Sequence, residues 1–379
     1  MKKILVFSAG RSDFERYYPY INSLKNNKKI KLRIYASKAN LIDKFGNYRK
    51  YIQKKGFLVV NNLNFKKLST SDNPLFITKI LSDEIESFSK YIKYFKPDII
   101  FAMGDRFEML AAPLSAMPYN IPIFHFYGGA VTEGAIDELV RHAITKMSHL
   151  HFVALDTYRK RLIQMGEESW RIKVTGVSNI NNLLKAKVIS VEKFSNAIGM
   201  DLKKKTILCT FHSSTLELNS LNRQLNVLCS SIRKSGFQCI FTYPNADRGH
   251  NLIIKKINNF IKNNKKYLFK KYCTIDEYSN LMRHCSIMLG NSSSGIVEAA
   301  SFNLPVINLG TRQDGKIKPK NVVDVKYEVN LICKLISSLK KKKIHNPYKK
   351  NFLAKKFIKI VLSTKINDKL IRKKFISIN

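Results

Sequence analysis

The densest chemistry in the chain lies in Gly290-Asn291-Ser292-Ser293-Ser294-Gly295-Ile296-Val297-Glu298. Glycine lets a backbone approach a ligand closely, and N–H groups at the start of a helix attract an anion. Ser292 and Ser293 are therefore candidate phosphate holders. Glu298, about one helical turn further on, could hold a ribose diol. A Ser/Gly linker is the alternative, but an apolar run precedes this stretch and an amphipathic one follows it.

A second group carries acids, bases and guanidinium groups. Gly104-Asp105-Arg106-Phe107-Glu108 follows the apolar run DIIFAM. Asp105 could transfer a proton and Arg106 could neutralise phosphate charge, the alternative being a surface ion pair. In the stretch from His125 to His142, Glu133, Asp137 and Glu138 lead into a helical pattern. Asp137 with Arg141 and Glu138 with His142 are four apart, so each pair can orient its members. Acids near a helix N-terminus are stabilised as carboxylates, which suits a base; simple complementing of the dipole is the alternative. His212 in Thr210-Phe211-His212 could act as acid or base or hold a phosphate, unless it merely bonds its own loop. Asn245 in FTYPNAD and Arg312 in LGTRQ stand at similar strand ends. Ser8-Ala9-Gly10-Arg11-Ser12-Asp13 lacks a full G-x-G-x-x-G. There Arg11 could reach a phosphate and Ser12 or Asp13 could cap a helix; a capped tight turn is the alternative.

The elements that must position these residues are short apolar runs alternating with helical patterns. Strands are predicted at 3–9, 30–36, 57–60, 98–103, 121–126, 150–153 and 172–175. A second series is predicted at 206–211, 238–243, 286–289 and 306–309, with a weaker one near 268–274. Helical periodicity marks 74–94, 133–147, 215–234 and 252–263. Apolar strands each followed by a helix indicate parallel sheets covered on both faces. The expected fold class is α/β, with two Rossmann-like doubly wound parallel-sheet domains facing a cleft. The expected boundaries are 1–180 for an N-terminal domain with the catalytic loops, 181–350 for a nucleotide-binding domain and 351–379 for Lys-rich terminal helices.

Composition sets limits on the partner. The chain has 379 residues and a formal net charge of +40, from 67 Lys plus Arg against 27 Asp plus Glu. Lysine makes up 52 of those positive residues and arginine only 15, beside 33 asparagines. Arginine is the preferred fork for phosphate and base edges, so a Lys-rich, Arg-poor chain reads as compositional drift, with no nucleic-acid partner. The six cysteines show no two-residue spacing of a zinc or redox motif and sit in runs such as TILCTF, which reads as reduced core thiols without a metal. No apolar run approaches the ~18–20 residues that span a bilayer, and MKKILVFSAGRSDF is too short in its apolar part for a signal peptide. A cytoplasmic protein without a membrane partner is expected.

GDRFEMLAA, TEGAIDE, RHAITKMSHLHFV, FTYPNAD, GNSSSG and LGTRQ together resemble the hydrolysing UDP-N-acetylglucosamine 2-epimerases of sialic-acid and nonulosonate biosynthesis, from Ser8 to about Val325. The resemblance implies a GT-B arrangement of two Rossmann-like domains, no cofactor, a UDP-sugar substrate and a homo-oligomer, dimer or tetramer. It implies elimination of UDP across C1 and C2 after loss of the C2 proton, then addition of water, giving N-acetylmannosamine. By motif position it assigns Asp105, an acid of the 127–133 loop, Asp137 and His212 to catalysis. Arg11, Arg106, Ser292, Ser293, Glu298 and Arg312 would hold UDP, with Asn245 near the sugar.

One departure bears on this. Where relatives read HIEGGE or HIHGGE, the chain reads HFYGGA, so Tyr127 and Ala130 replace an ionisable residue and a glutamate. Glu133 is expected to supply the missing carboxylate. The alternatives are the same reaction on a 2,4-diacetamido-2,4,6-trideoxy sugar nucleotide, as in legionaminic acid synthesis, or a catalytically impaired nucleotide-sugar binding protein.

Overall fold

The central strands of each sheet are apolar runs buried on both faces, while edge strands such as Tyr267–Lys270 and Val322–Val325 are only partly buried. The computed structural model describes residues 1–37, 48–61, 71, 73–245 and 247–377. These form two units: residues 1–130, 136–179 and 350–379 make unit 1, and 131–135 with 180–349 make unit 2.

In unit 1 the strands are β1 (Lys2–Ser8), β2 (Ile30–Ala36), β3 (Val59–Val60), β4 (Ile99–Met103), β5 (Ile123–Phe126), β6 (Leu150–Val153) and β7 (Ile172–Val174). They lie in the order β3-β2-β1-β4-β5-β6-β7, every neighbouring pair parallel. Ile4, Leu5, Val6 and Phe7 of β1 are all fully buried, as a central parallel strand requires. Asn73 caps the Pro74–Phe95 helix by accepting the Leu75 N–H at 2.9 Å, with proline at its first position.

Residues 351–379, set apart in the sequence reading, fold back as part of this unit. Phe357 of the Ala354–Ser363 helix lies 5.3 Å from the Phe152 ring and 4.9 Å from that of Tyr20. The fully buried Arg171 guanidinium donates to the carbonyls of Lys369 (2.9 Å), Leu370 (2.8 Å) and Arg372 (3.0 Å). Phe357, Val361 and Leu370 of this tail are buried, and most of its lysines stay exposed, as the predicted basic face requires.

Unit 2 contains β8 (Thr206–Thr210), β9 (Gln238–Thr242), β10 (Tyr267–Lys270), β11 (Ile287–Gly290), β12 (Val306–Leu309) and β13 (Val322–Val325). Their order is β10-β9-β8-β11-β12-β13, again all parallel. Alternate side chains feed two cores: Ile207 and Cys209 enter one, Leu208 the other. All six cysteines are reduced, outside any disulfide, and four of them are buried.

The structure differs from the sequence expectation in several elements, the expected 215–234 helix beginning only at Leu221. β13 was not anticipated, because VVDV is short and carries an acid. The predicted strand 57–60 shortens to Val59–Val60 at the sheet edge. The helix expected from Glu133 starts at Asp137, and residues 131–135 pack in unit 2 instead. Glycine permits this: a Cβ on Gly134 would lie 2.5 Å from the Thr311 carbonyl oxygen and 2.7 Å from the Arg312 Cα.

Candidate functional site

In an open parallel sheet, ligands bind beyond the carboxyl ends of the strands where the winding reverses. In unit 1 that point is between β1 and β4, and in unit 2 between β8 and β11. Asp105 and Arg106 follow β4 and Arg11 follows β1; His212 follows β8 and Ser292 follows β11. The chemistry-bearing residues thus fall on the reversal point of each sheet.

In unit 1, Arg141 of the Asp137–Met147 helix organises the charges. Its guanidinium is fully buried. Nε donates to Asp105 Oδ2 at 3.1 Å, Nη2 donates to the same oxygen, and Nη1 donates to Glu138 Oε2 and the Ala130 carbonyl, both at 2.9 Å. Burial works against the charge on Arg141, but the Asp105 carboxylate outweighs it, with help from Asp137 and Glu138, so the pKa rises. Glu138 also accepts from His142 at 2.9 Å, as its spacing predicts. Arg106 pairs with Glu108 at 2.9 Å. Asp13 does not cap its helix: Gly10 is the N-cap and provides no side chain. Asp13 is turned inward instead, where burial pushes its carboxyl up to about 6 against the pull of Arg106 and Arg16. Arg11 is the first residue of the Arg11–Lys25 helix; its side chain lies outside the described set.

Unit 2 is organised by an asparagine. Asn291 accepts the His212 N–H through Oδ1 (2.7 Å) and donates Nδ2 to the His212 carbonyl (2.8 Å), clamping that backbone from both sides. Its own carbonyl accepts from Gln313 Nε2 (2.8 Å) and Arg312 Nη1 (3.3 Å). His212 Nδ1 accepts the Asn245 N–H at 3.1 Å, so the neutral ring carries its proton on Nε2 and can donate from there. A Cβ on Gly290 (φ +140°) would lie 2.1 Å from the Thr210 carbonyl, which is why glycine ends β11. Ser292 caps the short helix Ser293–Val297 by accepting the Ser294 N–H at 3.3 Å, and Glu298 is buried at its end. Arg312 lies 3.9 Å from Asp247. Glu133 is exposed, its N–H donating to the Asp314 carbonyl at 3.1 Å.

Within unit 1, Arg141 draws Asp105 and Asp137 to one charge and Arg106 acts on the neighbouring Asp13; within unit 2, Asn291 joins His212 and Arg312, and Asn245 bonds His212, whereas Glu133 sits apart against Asp314. The sequence reading missed Arg141 as the partner of Asp105 and Asn291 as a hub. For Arg141 the signal was present, since it follows Asp137 by one turn, but nothing local pointed to Asp105, 36 residues away. Among the described residues, no three His, Cys, Asp or Glu side chains gather as metal ligands would, and no helix is long and apolar enough to cross a membrane.

Known proteins resemble this chain over most of its length. A relative from Campylobacter jejuni, a GDP/UDP-N,N'-diacetylbacillosamine 2-epimerase (hydrolyzing), is 33% identical over 344 residues, covering 90% of this chain and 88% of its own. The UDP-N,N'-diacetylbacillosamine 2-epimerase (hydrolyzing) of Legionella pneumophila is 32% identical over 345 residues, covering 91% and 90%. Among solved structures, UDP-GlcNAc 2-epimerase from Neisseria meningitidis bound to UDP-GlcNAc superposes with a TM-score of 0.77 at 20% identity, covering 96% of this chain and 100% of that one. The model of the family described as UDP-N-acetylglucosamine 2-epimerase matches residues 22–362. The chain belongs to the UDP-N-acetylglucosamine 2-epimerase family.

Proposed function

We propose that the protein is a hydrolysing 2-epimerase of a UDP-linked 2-acetamido sugar. A carboxylate removes the proton from C2, the C1–O bond breaks, its electrons leave with UDP, and a C1=C2 double bond forms. Water then adds, hydroxyl to C1 and proton to C2 from the opposite face, releasing the free 2-epimer. Asp105, Glu133, Asp137 and His212 divide the proton transfers. Arg11, Arg106, Ser292, Ser293, Glu298 and Arg312 hold UDP, whose diphosphate gains negative charge as it leaves, and Asn245 lies near the sugar. The observation that carries this reading is the Asp105–Arg141 pair, a carboxylate held by a buried cation at the reversal point of the unit 1 sheet. The same reading makes the protein a cytoplasmic dimer or tetramer.

UDP-N-acetylglucosamine, giving N-acetylmannosamine for sialic-acid or related nonulosonate synthesis, is the first substrate reading. The second is UDP-2,4-diacetamido-2,4,6-trideoxyglucose. It is favoured by the 33% and 32% identity to diacetylbacillosamine enzymes against 27% to a UDP-N-acetylglucosamine 2-epimerase of Neisseria meningitidis. Each sugar nucleotide is to be incubated with the protein in deuterated water. Release of UDP with a 2-deuterated 2-epimer from one of them identifies the substrate. No UDP from either would overturn the enzymatic reading and leave a binding protein.

A further inference from the structure

Tyr127 has φ +64°, in the left-handed region that only glycine enters freely. Such strain persists where surrounding contacts over-determine it, and an observed outlier is a pointer to function. Here the contacts are plain. The Tyr127 N–H donates to the Phe152 carbonyl at 2.7 Å. The phenol oxygen accepts the Ser178 N–H at 3.2 Å and lies 3.1 Å from the Ser178 hydroxyl. The Tyr20 ring lies 6.4 Å from that of Tyr127, and its hydroxyl lies 2.8 Å from Thr175 Oγ1. Burial, more than these bonds, sets the acidity of Tyr127 and raises its pKa, so the phenol stays neutral and is a poor proton carrier.

The next residues leave the turn one position. A Cβ on Gly128 would lie 2.9 Å from His125 Nδ1 and Thr145 Oγ1, and one on Gly129 (φ +77°) would lie 2.6 Å from Leu162 Cδ1 and 2.8 Å from the Tyr158 carbonyl. The turn then presents two carbonyls to arginines: Gly129 to Arg161 and Ala130 to Arg141 Nη1. With Nη1 so fixed, the planar guanidinium has Nε and Nη2 directed at Asp105 Oδ2.

We propose that Tyr127 is a positioning residue for Asp105. Its anchored phenol holds the strained turn, the Ala130 carbonyl aims Arg141, and Arg141 sets the place and electrostatic environment of the Asp105 carboxylate. That this placement serves turnover rests on the proton-transfer role proposed for Asp105; the placement itself does not. Without the phenol oxygen the turn relaxes and Nη1 loses its carbonyl, which leaves Glu138 as its acceptor and lets the guanidinium shift relative to Asp105.

Tyr127→Phe removes the anchor and keeps the ring. The Asp105 carboxyl, followed by carbon-13 NMR without substrate, is expected to titrate at a different pH in this variant. With the sugar nucleotide the wild type turns over, kcat is expected to fall about tenfold, the value of one buried hydrogen bond, while KM changes less than about twofold. Ser178→Ala should reproduce part of both effects, and the double variant should be no worse than Tyr127→Phe alone. If Tyr127→Phe does not fold, Ser178→Ala carries the test by the same two readouts. An unmoved Asp105 titration in the folded variant overturns the proposal, as does a rise in KM with kcat intact. If the wild type releases no UDP from either sugar nucleotide, the proposed function fails, and the Asp105 titration still decides whether Tyr127 positions it.

Discussion

The two sheets share a strand order and a reversal point, yet what collects at each differs. In unit 1 the ends of β1 and β4 gather charges of both signs, Asp13, Asp105 and Glu108 with Arg106 and Arg141, around a guanidinium out of contact with water. In unit 2 the ends of β8 and β11 are ordered by one neutral side chain, Asn291, which joins His212, Arg312 and Gln313. A buried charge cluster ties folding to the chemistry, because removing one member strands another charge. An amide hub binds with less at stake, since each of its hydrogen bonds is worth only about 1 kcal/mol net. One strand order thus carries a buried charge cluster at one reversal point and an amide-centred hydrogen-bond hub at the other.

The largest expected effect comes from the charged end. Asp105→Asn should lower kcat about 10³-fold or more while UDP still binds, read by UDP release and calorimetry. Lost UDP binding in this variant would remove the division of labour. Arg141→Met, which leaves Asp105 and Glu138 without their buried partner, should cost about 3–5 kcal/mol of stability in urea melts. A cost below 1 kcal/mol would show that the cluster is solvated. Glu133→Gln sharpens the comparison from the other side: turnover should drop about 100-fold or more with UDP still bound. That result would give unit 2 a reacting carboxylate in addition to His212, and unchanged turnover would leave the carboxylates to unit 1. Arg312→Ala should weaken UDP binding about 30-fold with kcat at saturation little changed.

The smallest effect is a pH dependence of the stability of unit 1. Burial pushes His125 down to about 3 and His149 to about 4, and lowers His151 as well. These rings are neutral when folded and take up protons below about pH 6.5 when unfolded, so stability falls as pH drops through that value. Asp13, raised to about 6 by its burial, opposes this, because the folded state there binds the extra proton. The net expectation is a loss of about 2 kcal/mol between pH 6.5 and 5.5. The single tryptophan, Trp170, lies in unit 1, so its fluorescence in urea reports that unit. A midpoint that does not move between these pH values would mean that the imidazoles are not buried as neutral rings.

Much of the site was legible because it is local. Strand-end motifs such as Gly104-Asp105-Arg106 and Gly290–Ser293 carry both their chemistry and the turn that displays it. Ser292, a phosphate holder by its type and place, is in the structure the cap of its helix, accepting the Ser294 N–H. Asp13, read as a cap, is buried instead, because Gly10 starts the helix and leaves Asp13 on the inner side of its first turn. The unit to which residues 131–135 belong was not legible, since it depends on how closely Gly134 approaches Thr311.

The sequence by itself determined the alternation of strands and helices, and with it two parallel sheets, because burial on both faces demands apolar runs of strand length. It also determined which residue types stand at strand ends. Only the tertiary structure decided which of them meet. Asp105 with Arg141, Asn291 with His212 and Arg171 with the returning tail are separated by 36, 79 and about 200 residues. Such partners are selected by chain closure and packing, which leave no periodic mark on a sequence. For the same reason the +40 charge told little: the cations that matter are the few whose guanidinium groups the fold has buried beside an acid or a carbonyl.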